Sequence, residues 1–197
     1  MTDENRRTLA AYQGHAQAYI DGTPHNVEGF VKVWIDKVLA RLPKESVILE
    51  LGSAFGRDAD YIERAGYKVE RTDAAGSFVD LLKRQGHEAR LLNVLTDDPG
   101  GPYGLVFANA VLLHFTIDEF RMVLKKIYAG LAPGGIFAFS VKRGKGSEWS
   151  EAKLGAPRFF QYWEKTDLEQ ALSASGFSAA EITAEESKKW LHVIAKR

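Results

Sequence analysis

The segment from Glu50 to Gly56 has the residue types of a turn that binds a cofactor. It reads Glu-Leu-Gly-Ser-Ala-Phe-Gly and follows the apolar residues 47–49, and Asp73 lies at the end of the next apolar stretch. Glycine lets the backbone come close to a ligand, and a carboxylate after the second strand can accept hydrogen bonds from ribose hydroxyls. This pattern predicts a site for a nucleoside-containing cofactor and leaves its identity open.

The sequence around this turn alternates between short apolar runs and amphipathic segments, which is typical of an α/β fold with a mostly parallel sheet. Strands are predicted at residues 46–51, 67–71, 89–92, 105–108, 136–141, 179–183 and 190–195. Helices are predicted at residues 6–20, between Val27 and Pro43, at 57–65 and 76–85, and after two capping boxes, Thr116 with Glu119 and Thr166 with Glu169. Residues 133–135, Pro-Gly-Gly, are predicted to form a turn.

Four positions that could contact a ligand directly follow predicted strands: Gly52, Asp73, Asn93 and Asn109. Ligands of open α/β sheets bind outside the carboxyl ends of the strands, where the strand order reverses. We therefore expect these residues to converge on one crevice.

Three kinds of nucleotide or nucleoside site are compatible with a glycine-bearing turn in such a fold. The phosphate-binding sequence Gly-x-x-x-x-Gly-Lys-Ser/Thr does not occur in the chain. A dinucleotide fingerprint that starts at Gly52 would need glycine where the chain has Ala54 and Arg57. A cofactor without phosphates has no such requirement.

The turn resembles the first motif of the class I S-adenosylmethionine-dependent methyltransferases, an acid followed by three alternating glycines. The similarity extends from about residue 16 to residue 197 and includes Thr-Asp-Ala at 72–74, Leu-Asn-Val at 92–94, Asn-Ala-Val-Leu-Leu-His at 109–114, Leu-Ala-Pro-Gly-Gly at 131–135 and Ser-Gly-Phe at 175–177. It implies a Rossmann-like, doubly wound, mostly parallel seven-stranded sheet with helices on both faces and an N-terminal helical lid. Within one domain, residues 1–43 would form this cap, residues 44–197 the core, and residues 142–163 an insertion on the substrate side.

The resemblance also implies which residues hold S-adenosyl-L-methionine, whose product is S-adenosyl-L-homocysteine. The turn would hold the methionine part, and the end of the second strand would hold the ribose. The segment after the third strand would contact the adenine, and the segment after the fourth strand would lie beneath the sulfonium. A tyrosine of the N-terminal lid would close over the cofactor. The implied residues are Glu50, Gly52, Ser53, Ala54 and Asp58; Asp73 and Ala74; Asn93 and Val94; Asn109 and Ala110; and Tyr19.

Two of these positions depart from the family pattern. Ala54 replaces the middle glycine, and we expect it to fit with a negative φ. Asn93 replaces an acid, and its side chain can still accept through oxygen or donate through nitrogen.

The acceptor side is predicted to include His114, Tyr162 and Trp163. With an ordinary pKa near 6.5, His114 could remove a proton from the acceptor, or it could be a structural histidine. Tyr12 is expected to pack against the sheet. The expected function is methyl transfer by in-line displacement to an O, N or S atom of a small molecule.

Composition limits the alternatives. Lys and Arg number 26 and Asp and Glu also number 26, so a net charge of zero argues against a dedicated nucleic-acid binder. There is no cysteine, no acidic or histidine pattern with metal-ligand spacing, and no apolar run long enough for a bilayer. We expect a cytoplasmic monomer or homodimer without metal, nucleic-acid or membrane partners. A nicotinamide-dependent oxidoreductase, a non-catalytic S-adenosylmethionine-binding module and a tRNA or protein methyltransferase remain as alternatives.

Overall fold

A seven-stranded sheet lies at the centre of the protein in this computed structural model, which describes residues 1–187 and 189–197. The strands are β1 Val47–Leu51, β2 Lys68–Asp73, β3 Ala89–Leu91, β4 Tyr103–Ala108, β5 Leu131–Lys142, β6 Ser147–Ser150, β7 Arg158–Gln161, β8 Ala179–Ala184 and β9 Trp190–Lys196. The helices are α1 Asp3–Gly14, α2 Ala16–Asp21, α3 Gly29–Leu39, α4 Arg57–Arg64, α5 Gly76–Arg84, α6 Ile117–Gly130 and α7 Lys165–Ala174.

The strand order of the large sheet is β3-β2-β1-β4-β5-β9-β8. All neighbours pair in parallel except that β9 is antiparallel to both β5 and β8. The predicted Rossmann-like, mostly parallel seven-stranded sheet is therefore confirmed. The order reverses between β1 and β4, because the chain first adds β2 and β3 on one side and then returns to the other. A crevice at the carboxyl ends of β1 and β4 follows from this topology.

Alternate residues of the central strands pack against helices on opposite faces. On β4, Leu105 and Phe107 join a core with α3 and α4, whereas Val106 joins a core with α6 and α7. Side chains of a strand point alternately to its two faces, so a strand covered on both sides must be apolar throughout. This burial fixes the register of β4 and therefore the position of the residues that follow it.

Several local elements differ from the prediction. The N-terminal helix is broken at His15 into α1 and α2. Residues 133–135 lie within β5, where the four residues 132–135 lie opposite Gly104 of β4 and the extra residues form an irregularity in the strand pairing. A hairpin of β6 and β7 occupies part of the predicted insertion. No helix in the described part of the chain is long and apolar enough to cross a membrane.

The two predicted capping boxes have different outcomes. Thr116 is the N-cap of α6, and both halves of its box with Glu119 are formed. The prediction at Thr166 is wrong: α7 begins at Lys165, Glu164 is its N-cap, and that cap makes no side-chain hydrogen bond.

This contrast predicts different effects for the same substitution. Thr116→Ala should lower the free energy of unfolding by about 1 kcal/mol, because an N-cap side chain satisfies a helix amide that would otherwise lack a partner. Thr166→Ala, at an exposed position inside α7, serves as the matched control and should change it by less than about 0.5 kcal/mol. Urea denaturation of both variants measures the difference, and equal effects would contradict the assignment of the cap.

Candidate active site

The turn after β1 packs tightly against the end of β2 and the segment that follows β4, at the carboxyl ends of the parallel strands. Gly52 has a φ of 72°, and a Cβ atom there would lie 2.5 Å from Val111 Cγ2. The Ser53 amide donates to the Thr72 carbonyl at 2.8 Å, and the Thr72 amide donates to Ser53 Oγ at 3.1 Å. The turn is thus attached to β2, and only glycine fits at position 52.

Ala54 corrects one expectation from the sequence. Its φ is 49°, in the left-handed region, and not negative as expected. This conformation costs an alanine about 1–2 kcal/mol. Its amide compensates by donating to Asp73 Oδ2 at 2.9 Å, so the surrounding hydrogen bonds stabilise the turn in this shape.

Asp73 connects the two turns at the edge of the sheet. Its Oδ1 accepts from the Ala75 amide at 2.8 Å, while Oδ2 accepts from Ala54. Burial raises the pKa of Asp73 to about 6, against the lowering effect of these backbone hydrogen bonds. Each carboxylate oxygen has two lone pairs, so both can accept a further hydrogen bond from a ligand.

Two further acids lie behind the turn. Glu50 is buried, and its Oε2 has no hydrogen-bond partner among the described residues. Burial, followed by the nearby charge of Asp58, raises the pKa of Glu50 to about 8. Asp58 accepts hydrogen bonds from Arg57 Nε at 2.7 Å and from Asn109 Nδ2 at 2.8 Å.

A cavity of about 760 Å³, counting the space open to solvent, lies at the carboxyl ends of β1, β2 and β4. Most of the cofactor residues implied by the resemblance line it: Tyr19, Gly52, Ala54, Asp73, Ala74, Asn93, Val94, Asn109 and Ala110. Glu50, Ser53 and Asp58 do not line it and support the turn from behind.

The positions of the two asparagines are fixed by local contacts. Asn93 Oδ1 accepts from the Leu95 amide at 3.1 Å. Asn109 Oδ1 accepts from Ser140 Oγ at 2.6 Å, and the same Oγ accepts from the Ala110 amide at 2.9 Å. Ala110 has a φ of 58°, so this contact holds a second alanine in the left-handed region.

Helix α1 covers the cavity and contributes residues that the sequence interpretation missed: Asn5, Thr8 and Leu9. The helix is fastened across the opening, since the Phe159 amide donates to Thr8 Oγ1 at 2.9 Å. For Asn5, Thr8 and Leu9, the sequence offers one signal, which is the helical spacing of Leu9 and Tyr12 on one face of α1. Phe78 also lines the cavity, and its ring centroid is 5.6 Å from that of Tyr19.

His114 lies at the far end of this cavity, in a short 3-10 turn after β4. Its Nδ1 is 2.6 Å from the Phe159 carbonyl oxygen, which can only accept, so Nδ1 carries the proton. Nε2 then accepts from the Tyr12 hydroxyl at 2.8 Å. Tyr12, expected only to pack, therefore lines the cavity and contacts His114. Burial lowers the pKa of His114 to about 3, with the charges of Arg158 and Lys142 adding to the effect.

The structure does not bring Tyr162 and Trp163 to this cavity, and their role on the acceptor side stays a prediction. The Trp163 ring packs in the core, 4.3 Å from the Phe120 ring centroid. The Tyr162 hydroxyl donates to Glu148 and faces a separate surface depression. Both follow β7 in the chain, and the parallel bridge between Trp163 and Arg143 turns this segment towards α6 and away from α1.

Asp60, Glu63 and His87 come close enough together to resemble metal ligands. Arg71 donates to Asp60 at 2.8 Å and to Glu63 at 2.7 Å, so both carboxylates already have a cationic partner. The group is better explained as an ion-pair cluster around a buried arginine.

A family model described as a methyltransferase domain matches residues 24–182. The chain belongs to this methyltransferase family. The class I S-adenosylmethionine-dependent methyltransferase resemblance is thereby confirmed. No curated protein sequence gives a significant match.

Solved structures similar to this methyltransferase include three complexes. The 1,6-didemethyltoxoflavin-N1-methyltransferase of Burkholderia thailandensis, with bound 1,6-didemethyltoxoflavin and S-adenosylhomocysteine, shares 20% identity, covers 98% of this chain and 86% of its own, and has a TM-score of 0.71. The DhpI-SAM-HEP complex shares 16% identity over 100% of both chains, with a TM-score of 0.76. The glycopeptide N-methyltransferase MtfA, in complex with S-adenosyl-L-methionine, shares 14% identity with a TM-score of 0.68. The match covers 83% of this chain and 92% of the MtfA chain. At these identities the likeness establishes the fold.

The buried Glu50 should make the stability of the ligand-free methyltransferase depend on pH. A carboxyl group whose pKa is higher in the folded state binds more protons when folded, so stability falls as pH rises between the two pKa values. Relative to Glu50→Gln, the wild type should therefore lose stability between about pH 4.5 and pH 8, and the difference should level off above that. Thermal denaturation across this range measures it. Glu45→Gln, at an exposed position, is the control; a curve for Glu50→Gln parallel to the wild type would contradict the burial of an unpaired acid.

Proposed function

We propose that this protein transfers the methyl group of S-adenosyl-L-methionine to an O, N or S atom of a small molecule and releases S-adenosyl-L-homocysteine. The observation that carries the proposal is the cavity at the sheet's reversal point, lined by the glycine-bearing turn, Asp73, Asn93 and Asn109. The sulfonium of the bound cofactor supplies an electrophilic methyl group, so the protein's task is to bind, orient and exclude water.

The two sides of the cavity suit different parts of the cofactor. The backbone of Gly52 and Ala54 would hold the methionine part, where Asp58 would provide negative charge for its amino group. Asp73 with Ala74 would bind the ribose, because both carboxylate oxygens can accept further hydrogen bonds. Asn93 with Val94 would complete the set on the adenine side, and Asn109 with Ala110 on the sulfonium side.

The N-terminal helices would act as the lid of this site. Tyr12 and Tyr19 form an edge-to-face pair with ring centroids 5.5 Å apart, and both line the cavity. We assign residues 1–43 to the cap and residues 44–197 to the core, with part of 142–163 bounding the acceptor side. A reaction space enclosed in this way favours a small acceptor over a tRNA or a folded protein. The bound 1,6-didemethyltoxoflavin of the Burkholderia thailandensis enzyme is an acceptor-sized molecule in a similar fold.

Asp73→Asn tests the cofactor assignment. The substitution removes charge-assisted hydrogen bonds to the ribose hydroxyls, which contribute about 1.5–3 kcal/mol each, so the Kd for S-adenosyl-L-methionine should rise at least about tenfold. Calorimetry measures the Kd, and Asp80→Asn on the exposed face of α5 is the matched control. An unchanged Kd in Asp73→Asn would place the ribose elsewhere.

The same titration separates the alternatives. Binding of NADH with no binding of S-adenosyl-L-methionine would support an oxidoreductase and overturn the proposal. A non-catalytic module would bind S-adenosyl-L-methionine but would release no S-adenosyl-L-homocysteine with any member of a panel of small hydroxyl, amine and thiol acceptors.

His114 has two roles to distinguish. Its depressed pKa makes it a weak base, and its Nε2 is already occupied by the Tyr12 hydroxyl. We therefore assign it the role of orienting Tyr12, a cavity-lining residue whose hydroxyl would accept a hydrogen bond from the acceptor.

A pair of substitutions tests this role. Glutamine offers one acceptor and one donor at a spacing similar to that of the imidazole, so His114→Gln should keep kcat within about tenfold of the wild type. His114→Leu should lose about a hundredfold, because Tyr12 then has no partner. The pH profile of kcat should lack a limb near pH 6.5, since His114 stays neutral far below it. Equal losses in both variants would instead identify His114 as the general base.

A further inference from the structure

Arg158, on β7, is a buried cation with no anionic partner among the described residues. Its residue is 5% exposed, and within residues 1–187 and 189–197 no carboxylate oxygen lies within 4.0 Å of its guanidinium. Its Nε makes no hydrogen bond in the described part of the protein. Buried charges in proteins are normally paired, because removing an ion from water is costly. The pairing of Arg158 is therefore incomplete.

The contacts that Arg158 does make connect it to the cavity. Its Nη1 donates to the Tyr12 hydroxyl at 3.3 Å, and its Cζ lies 5.7 Å from the Tyr12 ring centroid and 5.1 Å from that of Phe160. Aromatic faces attract a guanidinium, but they do not neutralise it. Arg158 thus lies behind Tyr12 as seen from the cavity, next to the end where His114 is found.

A second cation lies on the neighbouring tyrosine. Lys153 Nζ is 4.2 Å from the ring centroid of Tyr19 and donates to Thr23 Oγ1 at 2.6 Å. Burial, followed by the charges of Arg158 and Arg57, lowers the pKa of Lys153 to about 8. The positive charge of Arg158 thus acts on Lys153, and an anion bound between them would relieve the repulsion.

We propose that the methyl acceptor carries an anionic group, a carboxylate or a phosphoryl group, which Arg158 binds together with Lys153. A guanidinium fork matches both kinds of oxyanion, and its unpaired Nε is available for the second bond of such a contact. The anion would anchor the acceptor at the lid side, with its nucleophilic atom directed past Tyr12 into the cavity. This inference rests on the proposed methyl transfer for the role of the bound molecule, but the anion site itself can be tested without it.

The probes are inorganic phosphate and acetate, titrated separately by calorimetry at constant ionic strength into the protein with and without S-adenosyl-L-homocysteine. We expect at least one of them to bind saturably, and Arg158→Met to weaken that binding at least about tenfold. Acetate alone would point to a carboxylate acceptor and phosphate alone to a phosphoryl acceptor. Arg121→Met, at an exposed position of α6, is the matched control and should bind the anion as the wild type does.

Lys153→Met provides an independent variant in case Arg158→Met does not fold, and it should weaken the same anion by a smaller factor. Thermal denaturation reports folding in every variant. The proposal is overturned if neither anion binds, or if the wild type, Arg158→Met and Lys153→Met bind equally well. Anion binding in a protein that fails to bind S-adenosyl-L-homocysteine would keep the anion site and reject the methyltransferase function instead.

Discussion

The hydrogen bonds of the Asp73 carboxylate hold the ligand-binding edge of the sheet together. One oxygen accepts from Ala54 and the other from Ala75, so a single side chain fixes the turns after β1 and β2. Parallel pairing of β1 with β2, in which Leu51 faces Thr72, places the carboxylate beside the first turn. Without it the strained Ala54 amide would lose its partner, and the shape of the cavity floor would change.

The lid depends on contacts that are distant in sequence. Thr8 accepts from the Phe159 amide and Tyr12 donates to His114, so α1 is attached both to β7 and to the turn after β4. The Thr2 amide also donates to Glu119, the residue that completes the cap of α6. Moving α1 away from the cavity would therefore break these three hydrogen bonds, together with the one from the Ser77 amide to Gln13 Oε1.

The features that the sequence predicts well are those set by neighbouring residues or by burial. The turn at Gly52, the capped start at Thr116 and the apolar β4 follow from local backbone chemistry and from coverage on both faces. The features that it does not predict have tertiary causes. The left-handed Ala54 depends on a hydrogen bond to Asp73, nineteen residues away. The positions of Tyr162 and Trp163, like the hydroxyl contact of Tyr12, depend on how β7 and α1 dock, which local spacing does not encode.

The charges of the site are divided between its two ends. Glu50, Asp58 and Asp73 lie around the first turn, whereas Arg158 and Lys153 lie at the lid side. Acids at one end suit a cationic donor, and cations at the other would keep an acidic acceptor group ionised. In the proposed complex this ionised group anchors the acceptor, and a different atom of the acceptor attacks the methyl group. The charge of Arg158 also adds to burial in lowering the pKa of His114, so the cation that would bind the anion helps to keep this histidine neutral.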